Sequence, residues 1–291
     1  MGFGSYSPSY GGGPNWPMIA ALAVIPIAVI TAAIIGLSAY LSTERIDTAT
    51  YCFSRADQHQ VAFFADASFT RSSSAAQWRD YETALMRAYD EAPPNARISI
   101  FTTTRDAASS FLPPVGSQCR PPETVLELAQ IGAPSQTPQY LARQAQEARE
   151  AYRTMVEHVL GALRDDELRA LESPILASLQ AISRSEFFDG EQRTLWFLTD
   201  GLEASETALF GQVRNSAPPY EIFASQPRWE AVRPDSLTGT HVNLLLVEST
   251  TLPGPGLEFI THAELRAFWS TLFIENGADS VELTRLRHGA E

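Results

Sequence analysis

Two aspartates in this chain stand at the same kind of place, each at the end of an apolar run with small or hydroxylated residues beside it. The first opens Asp66-Ala67-Ser68-Phe69-Thr70, and the second lies in Thr199-Asp200-Gly201. Between them, Ser173-Pro174 opens a segment, Ile175 to Ser183, that reads as a short helix. Carboxylates and hydroxyls are hard oxygen donors. Three chemistries are open to such a set: capping and turn formation in service of the backbone, hydrolysis through an aspartyl nucleophile, or the holding of a small hard cation. The elements that carry these residues decide whether they meet.

Five apolar runs read as strands: Val61 to Asp66, Ile98 to Thr103, Leu195 to Asp200, Val242 to Glu248 and Val281 to Leu286. The first, third and fourth are nearly continuous in apolar character, as parallel strands covered on both faces require. Helical patterns separate them. Trp78, Tyr81, Leu85, Ala88 and Tyr89 trace one face ahead of Pro93-Pro94, and Leu141, Ala145, Ala148, Tyr152, Met155, Val159 and Leu163 trace another. A last helix begins at a capping-box pattern, Thr261 with Glu264, carries Leu265, Phe268, Trp269, Leu272 and Phe273 inward, and ends at Gly277. Alternating strands and helices predict an α/β fold with a doubly wound, mostly parallel, Rossmann-like sheet. In such a sheet the functional crevice lies beyond the carboxyl ends of the strands, where strand order reverses. Asp66 and Asp200 both end strands.

The set D-x-S-x-T, a later hydroxyl before Pro at a helix start, and T-D-G after a buried strand resembles the von Willebrand factor A-type (vWA) domain and its metal-ion-dependent adhesion site. The resemblance runs from about Val61 to the C-terminus, and a bacterial membrane-anchored branch of A-like domains is the most similar. Thr70 stands where the family pattern usually has Ser, and Ser173 where it usually has Thr; both keep the hydroxyl. What the resemblance implies is a Mg²⁺ or Mn²⁺ site, with Ser68 and Thr70 as direct ligands, Asp66 and Asp200 holding waters and supplying charge, and Ser173 completing the set. Incomplete ligation by the protein would leave a position for a carboxylate of a protein partner.

Each piece also has a plainer reading. Ser173-Pro174 is a helix cap followed by Pro at the first helical position, Asp200-Gly201 is a turn, and the serines from Ser68 to Ser74 serve to cap the next helix. A metal-free scaffold of the same fold is therefore the alternative. An enzyme is not expected. The first motif has a likeness to the D-x-D-x-T of haloacid-dehalogenase-type phosphatases, but Ser68 occupies the second carboxylate's place and the chain has no Lys to neutralise a phosphate. No G-x-S-x-G, P-loop, G-x-G-x-x-G or H-E-x-x-H is present, and the five histidines have no metal-ligand spacing.

The N-terminal part is of another kind. No charged side chain occurs before Glu44, and Met18 to Leu41 is apolar. As a helix this stretch would measure roughly 36 Å, enough for a hydrocarbon core of about 30 Å. A cleaved signal peptide is the competing reading, disfavoured by a neutral n-region and a long apolar stretch. The predicted organisation is a flexible Gly/Ser/Pro-rich tail (1–16), one transmembrane helix (17–42), a polar connector (43–60) and the α/β domain (61–291). Cys52 and Cys119 both follow the apolar stretch, which suits one disulfide in an oxidising compartment or two buried thiols. On the first reading this is a single-pass protein of the cytoplasmic membrane with an extracytoplasmic domain. A net charge of −13 argues against nucleic acid as partner.

Overall fold

The structure is a computed structural model that describes residues 30–34, 46–54, 56, 58–68, 70, 73–103, 112–164, 173–205, 210, 217–248 and 260–286. The chain divides into two units, Met1–Arg45 and Ile46–Glu291. In the first, residues 30–34 are helical. The rest of the predicted span, Met18 to Leu41, lies outside the described residues, and among those described no helix is long and apolar enough to cross a membrane.

The second unit is built on a mixed, mostly parallel sheet of six strands in the order β3-β2-β1-β4-β5-β6. Its strands are β1 (Gln60–Ala65), β2 (Arg97–Thr102), β3 (Gly116–Cys119), β4 (Arg193–Thr199), β5 (Thr240–Val247) and β6 (Ser280–Leu286). Only the short edge strand β3 runs antiparallel among the described pairs. The helices are α1 (Ala75–Asp90), α2 (Val125–Gln130), α3 (Pro138–Arg164), α4 (Ile175–Ser183), α5 (Tyr220–Ala224), α6 (Trp229–Val232) and α7 (His262–Glu275).

Strand alternation divides the core between two faces. Val61, Phe63 and Ala65 of β1 point to one face, where Tyr81 and Leu85 of α1 and Tyr152 and Val156 of α3 cover them together with Trp196 and Leu198. Ala62 and Phe64 point to the other, against Leu176 and Leu179 of α4, Phe223 of α5, Trp229 of α6 and Phe268, Trp269 and Phe273 of α7. Burial on both faces explains the continuous apolar runs. The helix starts follow local chemistry: Ser74 with Gln77, Thr124 with Glu127 and Thr261 with Glu264 all close reciprocal capping boxes.

A third, small cluster changes the reading of the connector. Ile46 and Phe53 are buried with Leu128 of α2 and Leu141 of α3, so part of the stretch expected to be too polar for a core is core. Asn95 holds it from the opposite side, its Oδ1 accepting the Phe53 N–H at 2.8 Å and its Nδ2 donating to the Phe53 carbonyl at 3.0 Å. Cys52 is disulfide-bonded to Cys119, which lies on β3. This pins the incoming chain to the sheet edge at the end where β2 begins, since Cys119 is the partner of Arg97.

Candidate functional site

Strand order reverses at β1, whose neighbours are β2 on one side and β4 on the other. The crevice rule therefore points to the residues just past β1 and β4, which are Asp66 and Asp200. Asp66 is completely buried, and the described residues bring it only neutral donors. Its Oδ1 accepts the Ser68 N–H at 2.9 Å and, at 3.4 Å, the Thr103 hydroxyl. Its Oδ2 accepts the hydroxyls of Ser173 at 3.1 Å and Thr199 at 3.0 Å. Ser68 in turn donates its hydroxyl proton to Ser173 Oγ at 2.9 Å. Protons thus run inward along Ser68, Ser173 and Asp66, with the Ser68 hydroxyl half-buried at the outer end of the chain.

Asp200 is held in a local turn, its Oδ1 accepting the Leu202 N–H at 2.9 Å. Burial, then the neighbouring Asp66 charge, pushes its pKa above the carboxylate range; burial likewise raises that of Asp66 against the pull of its hydrogen bonds. Both carboxyls accept hydrogen bonds from neutral donors.

The turn that presents Asp200 depends on Gly201. Its φ is +76°, and a Cβ there would meet the Trp269 indole nitrogen at 2.9 Å and Leu246 at 3.3 Å. The indole N–H donates to the Gly201 carbonyl at 3.0 Å, and the Gly201 N–H donates to Thr199 Oγ1 at 2.9 Å. Gly201→Ala combines left-handed strain with the loss of one or both bonds. A destabilisation of about 2–3 kcal/mol in denaturant unfolding is expected, and a change within about 0.5 kcal/mol would show that the turn can relax.

The sequence-predicted residues fare differently. Asp66, Ser68 and Ser173 form one hydrogen-bonded chain, and Asp200, whose pKa the Asp66 charge helps to raise, ends the neighbouring strand. Thr70 is buried, and its hydroxyl donates towards the carbonyls of Ala67 at 2.9 Å and Leu163 at 3.1 Å, which ties the β1 loop to the end of α3. The plainer reading of Ser173 as a side-chain helix cap does not hold. Pro174 is the capping residue of α4 and no side chain of its own caps the helix, while the Ser173 hydroxyl goes to Asp66.

Three contributors were not singled out in the sequence. Thr103, just past β2, accepts the Ala67 N–H at 2.8 Å; a run of threonines closing the strand next to β1 was its signal. Thr199 relays between Gly201 and Asp66 and was part of T-D-G without a role of its own. Glu203 is completely buried: its Oε2 accepts the Leu176 N–H of α4 at 2.8 Å and its Oε1 accepts the Ser205 hydroxyl at 2.6 Å.

Among the described residues no group of three or more His, Cys, Asp or Glu is arranged to hold a metal. A Mg²⁺-type ion does not require one, because it takes few carboxylates and completes its shell with hydroxyls and water. The chemistry of the donor set fits: two carboxyls without a basic partner among the described residues, and hydroxyls whose protons are committed inward.

No protein-family model matches the chain, and no curated protein matches it in sequence. Solved structures do. Proximal thread matrix protein 1 from the mussel byssus aligns over 79% of this chain and 42% of its own, at 14% identity and a TM-score of 0.38. An aerotolerance-related membrane protein from Bacteroides fragilis aligns over 78% of this chain and 91% of its own, at 11% identity and a TM-score of 0.35. The pilus adhesin SpaC from Lactobacillus rhamnosus aligns over 79% of this chain and 28% of its own, at 10% identity and a TM-score of 0.39. The chain thus spans less than half the length of the mussel protein and under a third of the adhesin.

Proposed function

We propose that this chain is a vWA-like binding protein, anchored by Met18 to Leu41, whose extracytoplasmic domain engages a protein partner at the carboxyl edge of its sheet. The observation that carries the reading is the convergence of Asp66, Ser68, Ser173 and Asp200 at the point of strand reversal, with no basic partner for the carboxyls among the described residues. Asp66, buried and fully occupied, supplies charge from behind. Ser68 and Asp200 are partly exposed and form the accessible front, with Ser173 between. Thr70 completes the set implied by the resemblance. A Mg²⁺ or Mn²⁺ ion bound there would offer an open coordination position to a carboxylate of the partner. The disulfide supports the extracytoplasmic placement. The function is binding and not catalysis, since Ser68 replaces the second carboxylate an aspartyl phosphatase would need. A metal-free scaffold is the second reading, favoured by the engagement of the Thr70 hydroxyl with Ala67 and Leu163.

Thermal unfolding separates the two. An ion that binds only the folded state adds about 2.7 kcal/mol at a hundredfold excess over its Kd. Millimolar Mg²⁺ or Mn²⁺ is expected to raise the Tm of the wild-type protein and to leave Asp66→Ala and Asp200→Ala unmoved. Equal shifts in all three would mean general screening of the −13 charge, and the scaffold reading would then replace the metal one.

A further inference from the structure

Helix α4 begins two residues after Ser173, and its first amides need acceptors. A serine at the capping position would spend its hydroxyl on them, but Pro174 holds that position and Ser173 lies one residue further out. Here the Leu176 N–H goes to Glu203, which reaches in from the loop after β4, and the Ser173 hydroxyl goes to Asp66 instead. The two segments are also joined by backbone: Ser173 N–H donates to the Ala204 carbonyl at 2.7 Å, and Ala204 N–H returns the bond at 3.0 Å. Glu203 lies next to that bridge, and its second oxygen is held by Ser205. The loop it stabilises is the one that carries Asp200.

We propose that Glu203 is a positioning residue of the candidate site. By serving the amides of α4 from the Asp200 loop, it leaves the Ser173 hydroxyl to Asp66 and fixes the Ser173 and Asp200 segments in one arrangement. It touches no ligand itself. The proposal rests on the reading of this site as a Mg²⁺-type binding site, but its structural half stands apart from metal and can be measured without it.

Two neutral variants separate its roles. Glu203→Gln keeps an acceptor for the Leu176 N–H and replaces the acceptor for the Ser205 hydroxyl by an amide donor, whereas Glu203→Ala leaves the Leu176 amide open. In the full-length protein with Mg²⁺ alone as the probe, Glu203→Ala is expected to weaken apparent affinity by about tenfold or more, as leaving one buried amide without its acceptor would, and Glu203→Gln by less than about threefold. Unchanged affinity in Glu203→Ala overturns the proposal.

Amide hydrogen exchange without metal provides the second readout. Faster exchange of Leu176, Ser173, Ala204 and Leu202 together in Glu203→Ala, restored in Glu203→Gln, supports positioning, because Leu202 reports the Asp200 turn. Faster exchange confined to the first turn of α4 identifies an ordinary helix cap and overturns it. If the wild type binds no Mg²⁺, the metal reading falls, and the exchange pattern alone decides on Glu203. Should Glu203→Ala fail to fold, Glu203→Asp takes its place; it keeps the charge on an arm too short to reach both Leu176 and Ser205.

Discussion

Removing the Cys52–Cys119 bond is expected to lower the unfolding free energy of the domain by about 4 kcal/mol, the loop-closure value for two residues separated by 67 positions. The bond closes a loop that contains β1, α1 and β2, so its loss frees a large part of the unfolded chain. Denaturant unfolding with and without reductant measures the effect. A double Cys→Ser variant should match the reduced wild type, and native unreduced protein should resist thiol alkylation. A loss below about 1 kcal/mol would show that Asn95 and the Ile46–Phe53–Leu128–Leu141 cluster hold the incoming chain unaided.

The second large effect is on pH dependence. Burial drives the Glu203 carboxyl from its ordinary value of 4.5 up to about 8, against the bonds from Ser205 and Leu176 and with help from the Asp66 charge. Between those values the folded protein holds a proton that the unfolded chain has released. Stability from this group is therefore fully present below about pH 4.5 and is lost as pH rises through about 8. The slope is up to about 1.4 kcal/mol per pH unit, for a total on the order of 3–5 kcal/mol. Other carboxylates titrate in the same interval, so the quantity to follow is the stability of wild type minus that of Glu203→Gln. This difference should fall steadily from about pH 5 to about pH 8 and then level off. A difference that stays constant with pH would show that Glu203 is ionised in the fold throughout.

The parts legible in the sequence were those whose burial writes a pattern. Val61 to Ala65, Leu195 to Leu198 and Leu244 to Val247 are covered on both faces and so read as unbroken apolar runs, and Thr261, Glu264 and Gly277 mark both ends of α7 by local chemistry alone. Strand β3 left no such trace. It is a four-residue antiparallel edge whose Ser117 hydroxyl pairs with Ser99, so hydrogen bonding does the work that apolar packing does elsewhere. Helices α5 and α6 span five and four residues, too short for a 3.6-residue period to show.

The site was legible where one motif holds several residues, as with Asp66 and Ser68. It was not legible where a contact depends on where distant segments end. The Thr70 hydroxyl reaches the carbonyl of Leu163 because α3 stops beside the β1 loop, and Glu203 reaches Leu176 because the β4 loop folds back over α4. Neither approach has a local signature.

The attachment of Cys52 to the edge strand has a mechanical meaning. The chain enters the domain beside Arg97, at the end of the sheet where β1 and β2 begin, while Asp66 and Asp200 lie past the ends of β1 and β4. A pull between a partner held at the site and the entering chain would run lengthwise along these strands, loading many ladder bonds in shear at once and not peeling them one at a time. The covalent link spreads that tension from the lead-in of β1 to β3 on the far side of β2. Were the proposed anchor and partner both engaged, this arrangement would favour grip under load over release.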